Sequence, residues 1–151
     1  MKFSKGFTLV EILIVVIILG ILAAIVIPQF TQASNDARQS SLSSDLQTVR
    51  SQLELYRVQH LEQYPDKDNF VALMTSKTDE AGAIDVNGKF GPYLQKFPTN
   101  PFAPAAVAQT VTNGTACTGD NTSGWYFNTD TGAFTPNDNQ KDASEKPHIE
   151  W

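Results

Sequence analysis

The chain has 151 residues, a formal net charge of −5 and a single cysteine, Cys117. The excess of negative charge argues against a general nucleic-acid footprint. One cysteine, with no Cys or His neighbour at ligand spacing, excludes an internal disulfide and a cysteine-based metal site.

Hydrophobic residues make up 41% of the chain, but much of that share lies between Phe7 and Ile27. What remains is a modest core of aromatic, Leu and Val residues, enough for one layer of sheet against one helix.

The opening residues, 1–6, are short and carry Lys2 and Lys5. The next stretch, 7–30, is uncharged apart from Glu11, and charge does not return until Asp36. About 20 apolar residues cross a bilayer core as a helix, so residues 8–27 suffice. Lysines ahead of the span favour a cytoplasmic N-terminus with the rest translocated. A secretory signal peptide fits poorly, because its apolar stretch is shorter and the only cleavage candidate after this one is the weak Thr31-Gln-Ala33.

From Gln29 to Tyr64 the pattern becomes amphipathic. Leu46, Val49, Leu53, Tyr56, His60 and Tyr64 step by three and four, one stripe of a helix. The stripe ends at Tyr64-Pro65, since a residue before proline is pushed out of helical geometry. Residues 8–64 therefore read as one helix, apolar all round in its first half and with one dry face in its second.

Beyond Pro65, Asp66 or Asp68 is expected to cap a short helix through about Ser76 that buries Phe70, Leu73 and Met74. Asn87-Gly88 between alternating apolar residues signals a hairpin. Phe97-Pro-Thr-Asn-Pro-Phe102 reads as an ordered loop, and Val107–Thr112 as a strand. Trp125–Asn128 and Ala133–Thr135, around a turn at Thr129–Gly132, form a second hairpin. From Asn137 onward the tail is polar and expected to be loose, with no evident role for Trp151.

Two features of the N-terminus carry chemistry. Gly6 lets an endoprotease approach the backbone closely just before the apolar run, and cleavage there would remove both lysines yet keep the hydrophobic helix. Glu11 places a carboxylate in hydrocarbon, which costs several kcal/mol and marks a functional residue by default. It needs a cation, and cleavage between Gly6 and Phe7 would create one, the α-amino group of Phe7. Between neighbouring helices that pair would set register more than it adds stability. A plainer reading has Glu11 near the interface, snorkelling or protonated.

Pro28 removes a backbone donor and crowds the carbonyl of Ala24, so it either kinks the helix or simply marks the end of the span. Gly20 and Ala24 form a small-xxx-small pair that would let helices approach closely.

Gly6-Phe7-Thr8-Leu9-Val10-Glu11 followed by the apolar run resembles the prepilin motif of type IV pilins and type II secretion pseudopilins. The resemblance implies that a membrane prepilin peptidase cuts after Gly6 and methylates Phe7, that Glu11 is the acidic residue of subunit docking, and that Pro28, with Gly20, belongs to the helix kink.

The head segments Gly91-Pro92-Tyr93-Leu94, Phe97–Phe102 and Gly124–Gly132 resemble the major, G-type pseudopilins. The single cysteine departs from the many pilins that close their C-terminal region with two. That resemblance also implies calcium near the end of the chain, where Asp120, Asp130 and Asp138 are the acidic residues on offer, although their spacing matches no ligand loop.

The expected fold is α+β and pilin-like: a long N-terminal helix, transmembrane in its first half and amphipathic in its second, packed on a small antiparallel sheet. The expected divisions are a cleaved leader (1–6), a transmembrane and filament-core helix (7–28), an amphipathic helix (29–64), an α/β head (65–136) and a polar tail (137–151).

No catalytic frame appears: His60 lies on the dry stripe, His148 in the tail, and no phosphate loop or serine elbow is present. The resemblance implies a homopolymeric filament subunit working with a prepilin peptidase, an inner-membrane assembly platform and minor pilins or pseudopilins. It would wait as a single-pass inner-membrane precursor, then enter a periplasmic or extracellular filament. Two uses stay open, a secretion pseudopilus and an extended surface type IV pilus.

Overall fold

The computed structural model describes residues 6–151, and the chain divides into two units, Met1–Ala37 and Arg38–Trp151. Lys2 and Lys5 lie outside the described residues.

Helix α1 runs from Leu9 to Gln59, 51 residues with Pro28 inside it. Among the described residues of the first unit every large apolar side chain is exposed, from 83% for Phe7 to 50% for Val15. The helix is long and apolar enough to cross a membrane. In the second unit Leu42, Leu46, Val49, Leu53 and Tyr56 are buried at spacings of three and four, the dry stripe expected of a helix that packs on one side only.

The helix stops at Gln59 rather than at Tyr64. Leu61 and Glu62 take left-handed backbone, φ 54° and 63°, and the Glu62 N–H reaches back to the carbonyl of Arg57 at 2.9 Å. This closes the last turn without glycine, the residue that usually announces such a cap. Pro65 therefore follows an end already made.

Helix α2, Phe70–Thr75, buries Phe70, Leu73 and Met74 as expected. Its cap differs from expectation. Asn69 stands at the N-cap with no side-chain bond, and the Asp66 carboxylate accepts instead from the N–H of Asp68 at 2.9 Å, a local Asx turn.

The sheet has three strands in the order β1 (Val111–Asn113), β2 (Trp125–Phe127), β3 (Phe134–Pro136). The hairpin β2–β3 is antiparallel, with Tyr126 opposite Thr135. Strand β1 pairs parallel to β2, Thr112 opposite Tyr126, so the sheet is mixed and not antiparallel throughout. The intervening loop, 114–124, is long enough to return the chain to the same end of the sheet.

Residues 107–110 form turns, and the strand lies farther along than expected. Asn87-Gly88 does occupy a turn, closed by Gly88 N–H to Asp85 O at 2.9 Å. Around it there are only single bridges, Thr78 to Ile84 and to Phe90.

Trp125, Phe127 and Phe134 from the sheet, with Phe70 and Phe97, make the aromatic centre against which the α1 stripe packs. Phe70 and Phe134 stack at 5.7 Å, and Trp125 and Phe134 at 5.2 Å. Such rings bury large areas and dominate a small core.

The C-terminal tail is the largest departure. Asn137, Asp138 and His148 are buried, and Trp151 packs against the core. A 3₁₀ turn, His148–Glu150, closes the chain.

Candidate assembly site

Gly6, Phe7 and Thr8 are non-helical, and α1 begins at Leu9. Thr8 is the reason. Its hydroxyl oxygen accepts the Glu11 N–H at 3.2 Å, while the Glu11 carboxylate accepts the Thr8 N–H and the Thr8 hydroxyl, each at 2.9 Å. This is a capping box, two orphan donors of a helix start satisfied reciprocally.

The Gly6–Phe7 bond thus lies in non-helical chain immediately ahead of the helix, and Gly6 is exposed. Thr8 was not among the residues singled out from the sequence. Its signal was there all the same, a threonine three residues before a glutamate at the head of an apolar run.

Gly20 has open space around it. Pro28 sits within continuous helix, and near it the Thr31 hydroxyl donates to the Ile27 carbonyl at 3.1 Å.

In the second unit, His60 is buried at the end of the stripe. It stacks on Tyr56 at 3.9 Å, with Nδ1 2.8 Å from the Tyr56 carbonyl and Nε2 2.9 Å from the Thr78 hydroxyl. Both ring nitrogens have partners, so this histidine is a packing residue, as its place on the dry stripe implied. Cys117 is half-buried, its Sγ 3.4 Å from Asn137 Oδ1.

The three acidic candidates for calcium do not converge. Asp130 is exposed on the turn after β2. Asp120 accepts the Thr122 N–H and hydroxyl and the Asn137 amide. Asp138 is buried and accepts the His148 ring and the Asn100 amide. Among the described residues no three His, Cys, Asp or Glu side chains group to hold a metal. These residues therefore do not fit a calcium ion, which needs six to eight oxygens around it.

The prokaryotic N-terminal methylation motif matches residues 1–27, and the type II secretion system protein G family matches residues 29–114. This chain belongs to the type II secretion protein G family.

Among relatives of this protein G family member is type II secretion system core protein G of Pseudomonas aeruginosa. The two are 34% identical over 99 residues, 66% of this chain and 68% of that one. The core protein G of Vibrio cholerae is 32% identical over 103 residues, 68% of each chain. The type IV narrow pilus major component of Thermus thermophilus is 41% identical over 56 residues, 37% of this chain and 48% of that one. No solved structure matches the chain. Of the three head segments that carried the resemblance to protein G, Gly91–Leu94 and Phe97–Phe102 fall inside the family match, whereas Gly124–Gly132 lies beyond it, with the rest of residues 115–151.

Proposed function

We infer that the chain is the structural subunit of a type II secretion pseudopilus, a building block and not an enzyme. The observation that carries this is the unbroken exposed apolar surface of α1 from Leu9 to Ile27, headed by one carboxylate. A surface of that extent is unstable in water and must lie in a bilayer or among copies of itself. A bilayer holds the precursor, with the N-terminus cytoplasmic and the head periplasmic. Copies of the helix then take the bilayer's place in the filament core.

Residues 1–6 form the leader. The prepilin peptidase cuts between Gly6 and Phe7, in the non-helical chain ahead of the capping box, and Phe7 becomes the methylated terminus. Glu11 then meets the new amine of a neighbouring Phe7 as subunits dock. Small Gly20 and donor-free Pro28 let the core helices approach and bend. The assembly platform and the minor pseudopilins are the further partners.

The second reading, an extended surface pilus, is favoured by the 41% identity to the Thermus narrow-pilus component.

Electron microscopy of material from the native cells, with mass spectrometry of the subunit's N-terminus, tests the proposal. A subunit beginning at methylated Phe7 and held in the envelope without long fibres supports the pseudopilus. Abundant long filaments of the same processed subunit support the pilus. A chain retaining residues 1–6 overturns both.

A further inference from the structure

We propose that in this head a histidine does the work the family resemblance assigns to calcium. His148 and Asn100 satisfy Asp138 and so fasten the C-terminal segment, and the head folds without a divalent cation. The inference concerns the head alone and holds for either filament reading.

The side chains of Asp138 and His148 both have zero exposure, and His148 Nδ1 lies 2.7 Å from Asp138 Oδ1. The same oxygen accepts the backbone N–H of Gln140 at 3.0 Å, and Oδ2 accepts the Asn100 amide at 2.8 Å. Both carboxylate oxygens therefore face N–H donors, and a cation in their place would meet the positive ends of those dipoles.

Asn100 cannot turn its oxygen toward a cation without breaking three bonds. Its Oδ1 accepts the Phe102 N–H at 2.8 Å, and its Nδ2 serves the Gly124 carbonyl as well as Asp138. Nδ1 of His148 faces a carboxylate oxygen, an acceptor, so the proton is assigned to Nδ1, and Nε2 has no partner. A bare ring nitrogen is the cheaper atom to leave unmet, since a buried N–H there would lack an acceptor.

The position explains the consequence. Asp138 and His148 join three segments distant in sequence: the loop of Asn100 and Phe102, the start of the tail, and its end. The His148 ring packs against those of Phe102, at 4.9 Å, and Trp151, at 4.5 Å. The backbone N–H of His148 donates to the Gln140 carbonyl at 3.0 Å. A cross-link that closes a long polar stretch is where a structural ion contributes most. Here hydrogen bonds and two aromatic faces supply it.

The test is a thermal melt of the full chain in detergent micelles after chelation, with calcium then titrated to millimolar levels. The expected result is a Tm constant to within about 1 °C. A site filled at a hundredfold excess over its Kd would raise Tm by roughly 10 °C, and such a saturable rise overturns the proposal.

His148→Ala is expected to lower Tm equally with and without calcium, and His148→Asn, whose amide can stand where Nδ1 stood, to recover part of the loss. Should His148→Ala fail to fold, nitrogen-15 spectra of the wild-type ring decide. A proton on Nδ1 supports the proposal, and a proton on Nε2 overturns it.

Discussion

Thr8 and Glu11 hydrogen-bond each other in both directions, each side chain accepting the other's backbone N–H, at 3.2 and 2.9 Å. This gives Glu11 two separable roles, one in capping the helix and one as a charge. Glutamine serves a capping box as well as glutamate does, so Glu11→Gln removes the charge and keeps the cap. If the charge docks subunits, Glu11→Gln is processed normally at Gly6 and yields at least tenfold fewer filaments, since unpaired buried partners cost a few kcal/mol. Thr8→Ala, which removes the cap and keeps the charge, costs the helix start about 1 kcal/mol. Processing by mass spectrometry and filament counts by microscopy separate the two. Normal filaments from Glu11→Gln would sink the docking role.

How much of this was legible in the sequence varies by segment. The motif at Gly6–Glu11, the stripe from Leu46 to His60 and the hairpin of Trp125 and Phe134 were all readable, because each rests on spacing along the chain. The end of α1 was not, because Leu61 and Glu62 adopt left-handed backbone without glycine. The tail was misread for a different reason. Asn137, Asp138 and His148 look solvated in composition, and only hydrogen bonds make their burial affordable, Asp138 with His148 and Asn100, and Asn137 with Gly119, Asp120 and Ser123. Parallel pairing of β1 likewise depends on where an irregular loop leads, which no local pattern encodes.

Arg50 ties α1 to the end of the chain. Its Nε donates to the Phe134 carbonyl at 2.9 Å and its Nη2 to the Trp151 carbonyl at 2.6 Å. Burial pulls the guanidinium below its usual range, so the site holds a partly desolvated fork that two carbonyls need. Lysine supplies one point charge and cannot span both acceptors. Arg50→Lys is therefore expected to lose about 1.5–3 kcal/mol, seen as a lower Tm and a change in near-ultraviolet dichroism from Trp151. A Tm within error of wild type would remove the fork from the account.

Gly132 closes the turn between β2 and β3 with φ 73°, and a Cβ there would collide with the Tyr64 hydroxyl. Tyr64 is held in place by Arg57 at 3.3 Å and by the edge of Phe127 at 5.9 Å. Alanine meets both penalties, left-handed backbone at about 1–2 kcal/mol and displacement of a packed ring. We expect Gly132→Ala to lower stability by at least about 2 kcal/mol in denaturant melts. Gly114→Ala is the control. Its Cβ would meet only Tyr126, the hydroxyl at 3.5 Å and a ring carbon at 3.6 Å, and its effect should stay within about 0.5 kcal/mol. Equal effects at the two glycines would mean that Tyr64 yields freely.

Asp120 provides a pH signature of the loop that precedes β2. The Thr122 hydroxyl and N–H, at 2.7 and 3.0 Å, hold its carboxyl down at about 2. Unfolded, the same group titrates near 3.9. A depressed carboxyl stabilises the fold above its unfolded value and loses that contribution as pH falls through its folded value. The Asp120 contribution is thus constant from neutral pH down to about 5 and disappears between about 4 and 2. Asp120→Asn keeps the shape and an accepting oxygen but cannot titrate. At neutral pH the variant should melt below wild type, and the two Tm curves should converge on acidification and meet near pH 2. Curves that stay parallel across that interval would show that the Thr122 bonds do not favour the charged carboxylate. A gap that opens on acidification would reverse the sign outright.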